Sequence, residues 1–586
     1  MRRSERNSTV LKIVAASALG VALLCGCQKK QPPPKAQKNY DTRPAKAVPA
    51  YLKGSILEAV DLENTDPFPI SGYSLVTRLW GTGDSKAPAA VRDYVIKEMV
   101  KHGLGGFRVQ GYEQLQPEAM LRDPSVAIVR VDGNVPAGAR SGDRFDVLVS
   151  ALANNDTSSL IHGALFATDL KVMGADVRDP AGVVNVFGKV DAAQIFVNPA
   201  YTAAGTADQS AAAKASLRIG TVLNGGRTVQ DRPLILRLRA PQYSMARAIE
   251  RRVDMRFQGM ADMSKPNGER SCAFARDEGI VYIYPPHGFN GDWEHFAGVA
   301  THLYMNEGAD FVAAKAKELA DAAAQPKAPL SDISYCWEAL GVRALPFIQP
   351  LMASASPDVA YAAARAAAYL GELSAQDRLA EMALTPKHPF QLNAVQTLGN
   401  LPESPSIVQK LHKILDSDQT LARIEAYQVL ARQGGDEQAG QAGQGGNGID
   451  SHQIGGKFML DIVPTAGAPM IYASRTGMPR IAVFGRETCV QNPVTFFAMG
   501  KEFSMSSPPE GGNLLALFHR PPALPNAKLM RPPVKQFSRP SLPEVIARLG
   551  GEGASTETHF DFSYSDIIGM LQAMSDSQIL LAPYNG

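Results

Sequence analysis

Residues 125–152, "SVAIVRVDGNVPAGARSGDRFDVLVSAL", carry two apolar alternations separated by a run of Gly, Pro and Ala. Segments 125–133 and 143–152 read as strands, and 134–142 supplies the turn residues between them. Upstream, "VRDYVIKEMVKHG" (91–103) places Val91, Tyr94, Val95 and Met99 on one helical face, with Gly103 as the expected C-cap. Downstream, apolar segments follow at 163–173, 182–190 and 193–199, then an Ala-rich stretch from Ala203 to Ala215. Residues 217–226 and 233–241 are further apolar segments, and "SMARAIERRVDMRFQG" (244–259) reads as a basic amphipathic helix. This first part is β-rich.

The texture changes at about residue 326. Leu340-Gly341, Leu370-Gly371, Leu398-Gly399 and Leu430-Ala431 recur at spacings of 30, 28 and 32. They end Ala-rich helical segments such as "DVAYAAARAAAYLG" (358–371), with shorter apolar helices between them. Helix pairs repeated at a near-fixed period cannot bury their faces singly, so they stack into a solenoid. The pattern over 326–434 resembles HEAT or armadillo repeats. A Gln/Gly-rich low-complexity break is expected over 435–455. Beyond it, 456–586 returns to β character in "FMLDIVP", "PMIYASRTG" and "PRIAVFG", and closes with two helices. Ser541-x-x-Glu544 and Ser563-x-x-Asp566 give both of these the capping-box spacing.

The 586 residues exceed one ordinary core, and 45% apolar with 20% charged residues fits a folded chain. Arg2, Arg3, Arg6 and Lys12 against Glu5 make residues 1–26 +3, so a total of +2 leaves the remainder near −1. No basic domain points to nucleic acid. The uncharged run Ile13–Leu24 behind a basic head predicts an export signal over 1–26. Its exit, Leu24-Cys25-Gly26-Cys27, resembles the bacterial lipobox, which makes Cys27 the expected lipidation site and membrane anchor. Residues 27–50, rich in Pro, Lys and Gln, are expected to be a disordered tether. Gln28 rather than Asp after the lipidated Cys is compatible with an outer-membrane address. Cys272, Cys336 and Cys489 then remain, too far apart in sequence for a metal motif.

Chemistry is not visible in the motifs. Gly81-Thr82-Gly83 in "SGYSLVTRLWGTGDSKAP" (71–88) lacks the P-loop Lys, Asp84 repels an anion, and Lys86 stands where a dinucleotide fingerprint needs its third Gly. No Gly-x-Ser-x-Gly or His-Glu-x-x-His occurs. His295 and His302, seven apart, make half a metal site at best. His559, Asp561 and Asp566 read as a turn and a cap. The expectation is no catalytic residue, no cofactor and no metal.

Five segments carry a family resemblance. "SGYSLVTRLWGTGD" (71–84) resembles the opening of flagellar P-ring proteins, and Gly142-Asp143-Arg144 with Asp146-Val147 is similar to their "PGDRIDV". Residues 158–176, 474–496 and 565–574 resemble later segments of the same family, in the same order. The resemblance implies an α+β fold: a P-ring-like body in two segments, 51–325 and 456–586, folding together, with the HEAT-like solenoid inserted and protruding. It further implies a periplasmic, non-enzymatic subunit of a homo-oligomeric ring in the flagellar basal body, around the rod, with neighbouring ring proteins and peptidoglycan or cell-wall-associated proteins as partners. The alternative is an envelope lipoprotein that binds partners through its helical repeats. The chain departs from the family in its lipobox, its inserted helices and Gln242-Tyr243.

Overall fold

The computed structural model describes residues 42–44, 46–102, 116–172, 186–198, 211–257, 271–286, 289, 291–402, 404–433, 448–499, 502–507, 513–520, 533–552 and 559–585. Cys27, Gly103 and residues 203–210 and 434–447 lie outside them.

The first segment supplies β1 (Val60–Glu63), β2 (Phe68–Thr77), β3 (Ala127–Val135), β4 (Arg144–Ala151), β5 (Ala164–Leu165), β6 (Thr168–Val172), β7 (Val186–Val190), β8 (Ala193–Gln194), β9 (Ile219–Thr228), β10 (Leu234–Leu238), β11 (Ala273–Ala275) and β12 (Ile280–Ile283). Strands β3-β4-β9-β7-β6-β2 pair antiparallel in that order, and β2 pairs back onto β3 from Phe68↔Val135 to Val76↔Ala127. The sheet therefore closes on itself as a small barrel, with the short strands β5 and β8 carried beyond β2. The hairpin legible at 125–152 is β3 and β4, paired from Val129↔Ala151 to Gly133↔Val147. Val129, Val131, Phe145, Val147 and Val149 point inward at period two. Phe145 fills the barrel only because glycine faces it: a Cβ at Gly226 would lie 2.4 Å from its ring, and one at Gly133 2.6 Å. Leu75 and Ile128 point outward, where helix Ala89–Lys101 covers them with Val91, Tyr94, Val95 and Met99. A separate antiparallel sheet, β1-β10-β12-β11, is covered by helix Tyr243–Phe257 through Ala246, Ile249, Val253 and Phe257.

The helical array has two layers. Leu330–Leu340, Pro357–Tyr369, Gln391–Gly399 and Thr420–Gln433 pack side by side in sequence order, and the intervening helices, including Ser374–Leu384 and Pro405–Leu415, form the other layer. Buried alanines such as Ala363, Ala366 and Ala367 allow this close approach. Gly341 and Gly371, at φ +80° and +81°, turn the chain out of its helix as only glycine does cheaply. The layer begins earlier than residue 326, because helix Ala309–Ala323 buries Val312, Ala316 and Leu319 in the same core.

The second segment supplies β13 (Asp450–Ile454), β14 (Phe458–Val463), β15 (Met470–Ala473), β16 (Arg480–Phe484), β17 (Thr495–Ala498), β18 (Phe503–Ser506), β19 (Leu515–His519), β20 (Val534–Ser538) and β21 (Tyr584–Asn585). β13-β14-β16-β15-β21 form a mixed sheet and β17-β18-β19-β20 an antiparallel meander. The low-complexity break expected to run to 455 therefore ends sooner, since Asp450–Ile454 pairs with β14. Likewise the tether expected to run to residue 50 is already attached at Arg43, whose N–H donates to Arg239 O at 2.7 Å.

The array does not protrude. Its last helix lies on one face of the mixed sheet, sharing a core with Val463, Met470, Ala482 and Phe484. Helices Leu542–Gly550 and Tyr564–Asp576 cover the other face with Leu460, Ile471, Ile481 and Val483. Burial on both faces explains why β14 and β16 are apolar on both faces, interrupted only by Asp461 and Arg480, which pair with each other.

Candidate functional site

The sequence-marked residues converge on the contacts between segments. In the Gly81-Thr82-Gly83 turn, a Cβ at Gly83 would meet Val126 O at 2.7 Å, and Asp84 accepts backbone N–H groups of Lys86 and Asp156 at 3.1 and 2.8 Å. The turn's polar groups are thus spent on the fold itself. It presents Trp80, at φ +48°, stacked on His162 with ring centroids 4.1 Å apart.

His162 Nδ1 lies 3.1 Å from Asp566 of the C-terminal helix. Asp566 also completes a capping box with Ser563. Burial opposes its charge, but the hydrogen bond and charge of His162, with Ser563, outweigh it and hold its pKa below the usual aspartate range. Around this pair, the Ser565 hydroxyl accepts from Val197 N at 3.1 Å, Asp146 accepts from Gly477 N at 2.9 Å, and Phe196 packs against Tyr564. Barrel and second segment thus meet directly.

The helical array is pinned at both ends. His295 and His302 are both buried in helix Trp293–His302 and face helix Leu330–Leu340. His295 Nε2 lies 2.7 Å from Glu338, and His302 Nε2 3.8 Å from Asp332 while its Nδ1–H donates to Gly298 O. Burial lowers the His302 pKa against the opposing pull of the Gly298 carbonyl and Asp332. At the far end, the Tyr427 hydroxyl donates to Asp461, which is fully buried and also accepts from Ser451 at 2.6 Å and Arg480 at 3.0 Å. Arg423 donates to Ala468 O at 2.6 Å across the same boundary.

Other marked residues separate. Asp561 pairs with Lys457 at 2.7 Å, so His559, Asp561 and Asp566 do not gather around a common point. Ser541 is an N-cap without the expected side-chain bond. Its backbone bridges Cys489, and Glu544 turns to Arg539 instead. Cys272, Cys336 and Cys489 are free thiols. Burial pushes Cys272 up to about 11 and Cys336 up to about 12, which leaves both as unreactive core residues. Among the described residues no helix is long and apolar enough to cross a membrane.

Two features escaped the sequence. Phe497, Phe518 and Phe537 form an exposed aromatic row on the outer face of the β17-β18-β19-β20 meander, where Phe497 and Phe518 both flank Ser504. The alternation of "TFFA" (495–498) held half of that signal. The other is a cluster of Glu98, His102 and Asp169, the one group of potential metal ligands among the described residues.

The fold is a barrel-and-sheet body bound to a HEAT-like array, and the residue matches follow the same division. Residues 56–303 match the family model described as flagellar P-ring protein, and residues 344–431 match HEAT repeats. The flagellar P-ring protein of Caulobacter vibrioides (strain ATCC 19089 / CIP 103742 / CB 15) is 28% identical over 252 residues, 42% of this chain and 59% of that protein. That of Nitrobacter hamburgensis (strain DSM 10229 / NCIMB 13809 / X14) is 34% identical over 128 residues, 22% and 31% of the two chains. That of Rhizobium meliloti (strain 1021) is 31% identical over 225 residues, 36% and 53%. The chain thus spans less than two thirds of the length of these curated relatives, and it is similar to flagellar P-ring proteins through its first segment.

Proposed function

We propose that this protein is a non-enzymatic structural subunit of a P-ring-like periplasmic ring around the flagellar rod, serving motility as a bushing. The observation that carries the reading is the P-ring match over 56–303, which contains the whole closed barrel. A bushing must be stiff, and the buried Asp461 and the largely shielded side chain of Asp566, both at hydrogen-bonded seams, support a body braced by its helices. In this reading, residues 456–586 complete the P-ring-like body and the array at 326–434 braces it. A neighbouring copy covers the Phe497, Phe518 and Phe537 row, the kind of exposed apolar area that marks interaction sites. Lipid on Cys27 tethers each subunit to the outer membrane, and the rod, adjoining rings and cell-wall components are its partners.

Electron microscopy of the full-length lipidated protein tests this. Rings enclosing an axial opening, lost in a Phe497→Ser/Phe537→Ser double variant, are the expected result. Persistent monomers, together with normal swimming of a deletion strain, would overturn it.

A further inference from the structure

Helix Ala89–Lys101 buries an unexpected residue. Glu98 sits on the same stripe as Tyr94, Val95 and Met99 and is 8% exposed. His102 follows one turn later, the i, i+4 spacing that sets two side chains on one helix face. Opposite them Asp169, 2% exposed, projects from β6. One ligand atom from each of Glu98, His102 and Asp169 lies within 4.8 Å of the other two, and His102 Nε2 stands 3.7 Å from Glu98 Oε2. Glu98 Oε2, His102 Nε2 and Asp169 Oδ1 are shielded from solvent and have no hydrogen-bond partner among the described residues. Leaving such groups bare is costly, and two carboxylates make it more so. The Tyr94 hydroxyl, one turn before Glu98, is buried in the same condition.

Lys101 answers only part of this charge. Its Nζ binds Asp169 Oδ2, the other carboxylate oxygen, and stands 3.7 Å from Glu98. Its side chain is half exposed, so it can leave without unpacking the helix.

We propose that Glu98, His102 and Asp169 form a divalent-metal site of the zinc class, with Lys101 as a displaceable internal cation. One imidazole and two carboxylates suit Zn2+, whereas Ca2+ and Mg2+ favour all-oxygen sets. The ion would fasten the C-terminal end of the helix to barrel strand β6. It would use lone pairs to which the lysine makes no hydrogen bond.

Full-length protein, stripped with chelator and titrated with zinc chloride alone by calorimetry, tests the assignment. The expected result is one ion bound per chain and a higher melting temperature with zinc. Asp169→Asn and Glu98→Gln should weaken binding by about tenfold or more. Lys101→Met should tighten it, because a competing charge is removed. Equal zinc uptake by wild type and Asp169→Asn overturns the site. So does a Lys101→Met protein that melts lower and binds zinc no better, since the lysine is then the cluster's permanent counter-ion.

Discussion

Tyr427→Phe isolates the bond that locks the last array helix onto the mixed sheet. The change removes one hydroxyl donor to Asp461 and leaves the ring packed against Phe484 and Tyr472. A hydrogen bond to a charged group is worth about 1.5–3 kcal/mol, because the acceptor is left buried without it. Asp461 keeps Ser451 and Arg480, which favours the lower half of that range, about 2 kcal/mol. Asp461→Ala goes further by removing the carboxylate that Arg480 faces, at roughly 3–5 kcal/mol. A chain with several cores does not unfold in two states, so a global midpoint misreports such a local loss. Amide hydrogen exchange of helix Thr420–Gln433 and β14 is the proper assay. About 2 kcal/mol corresponds to roughly thirty-fold faster exchange there, with the barrel unchanged. In the Asp461→Ala background, Tyr427→Phe should add little, a coupling of roughly 0.5–3 kcal/mol. If Tyr427→Phe leaves exchange in that helix unchanged while its melting stays tied to the sheet, the polar seam does not hold the array and the reasoning fails.

Gly226→Ala drives a Cβ against the Phe145 ring and should destabilise the barrel by about 1–3 kcal/mol; exchange in β4 and β9 reads it, and Phe145→Ala should erase the effect. His302 has a pKa lowered in the fold, so below its unfolded value of about 6.5 the unfolded chain takes up the proton more readily. Its helix should therefore hold above that pH and loosen as pH falls toward the folded value; an identical pH slope in His302→Gln would refute this. The Asp566 pKa is lowered too, which for an acid favours the charged form: its contribution is fully present above the unfolded value of about 3.9 and is lost as pH falls through the lower folded value. Asp566→Asn should speed exchange at the start of helix Tyr564–Asp576 near neutral pH and make little difference in strong acid, and a pH-independent effect would show that the His162 pair contributes nothing.

Local pattern by itself determined the elements. Alternation at 125–152 marks the β3–β4 hairpin, the stripe from Val91 to Met99 marks its covering helix, and the Leu-Gly recurrence marks the array, because side-chain period is a property of neighbouring residues. The lack of a P-loop Lys and the presence of Asp84 beside Gly81-Thr82-Gly83 likewise excluded a phosphate cradle. Only the tertiary structure decided closure and contact. Barrel closure rests on β2 pairing with both β3 and β6, and no single strand's alternation names two partners. The sequence marked a solenoid but not its seating, since Tyr427 and Asp461 are 34 residues apart and each reads alone as an ordinary core or surface residue. Glu98 stood on an apolar stripe in plain view, yet its chemistry depends on Asp169, which strand β6 brings beside it from another part of the chain. Burial turns such distant polar residues into partners, and burial is set by which faces meet.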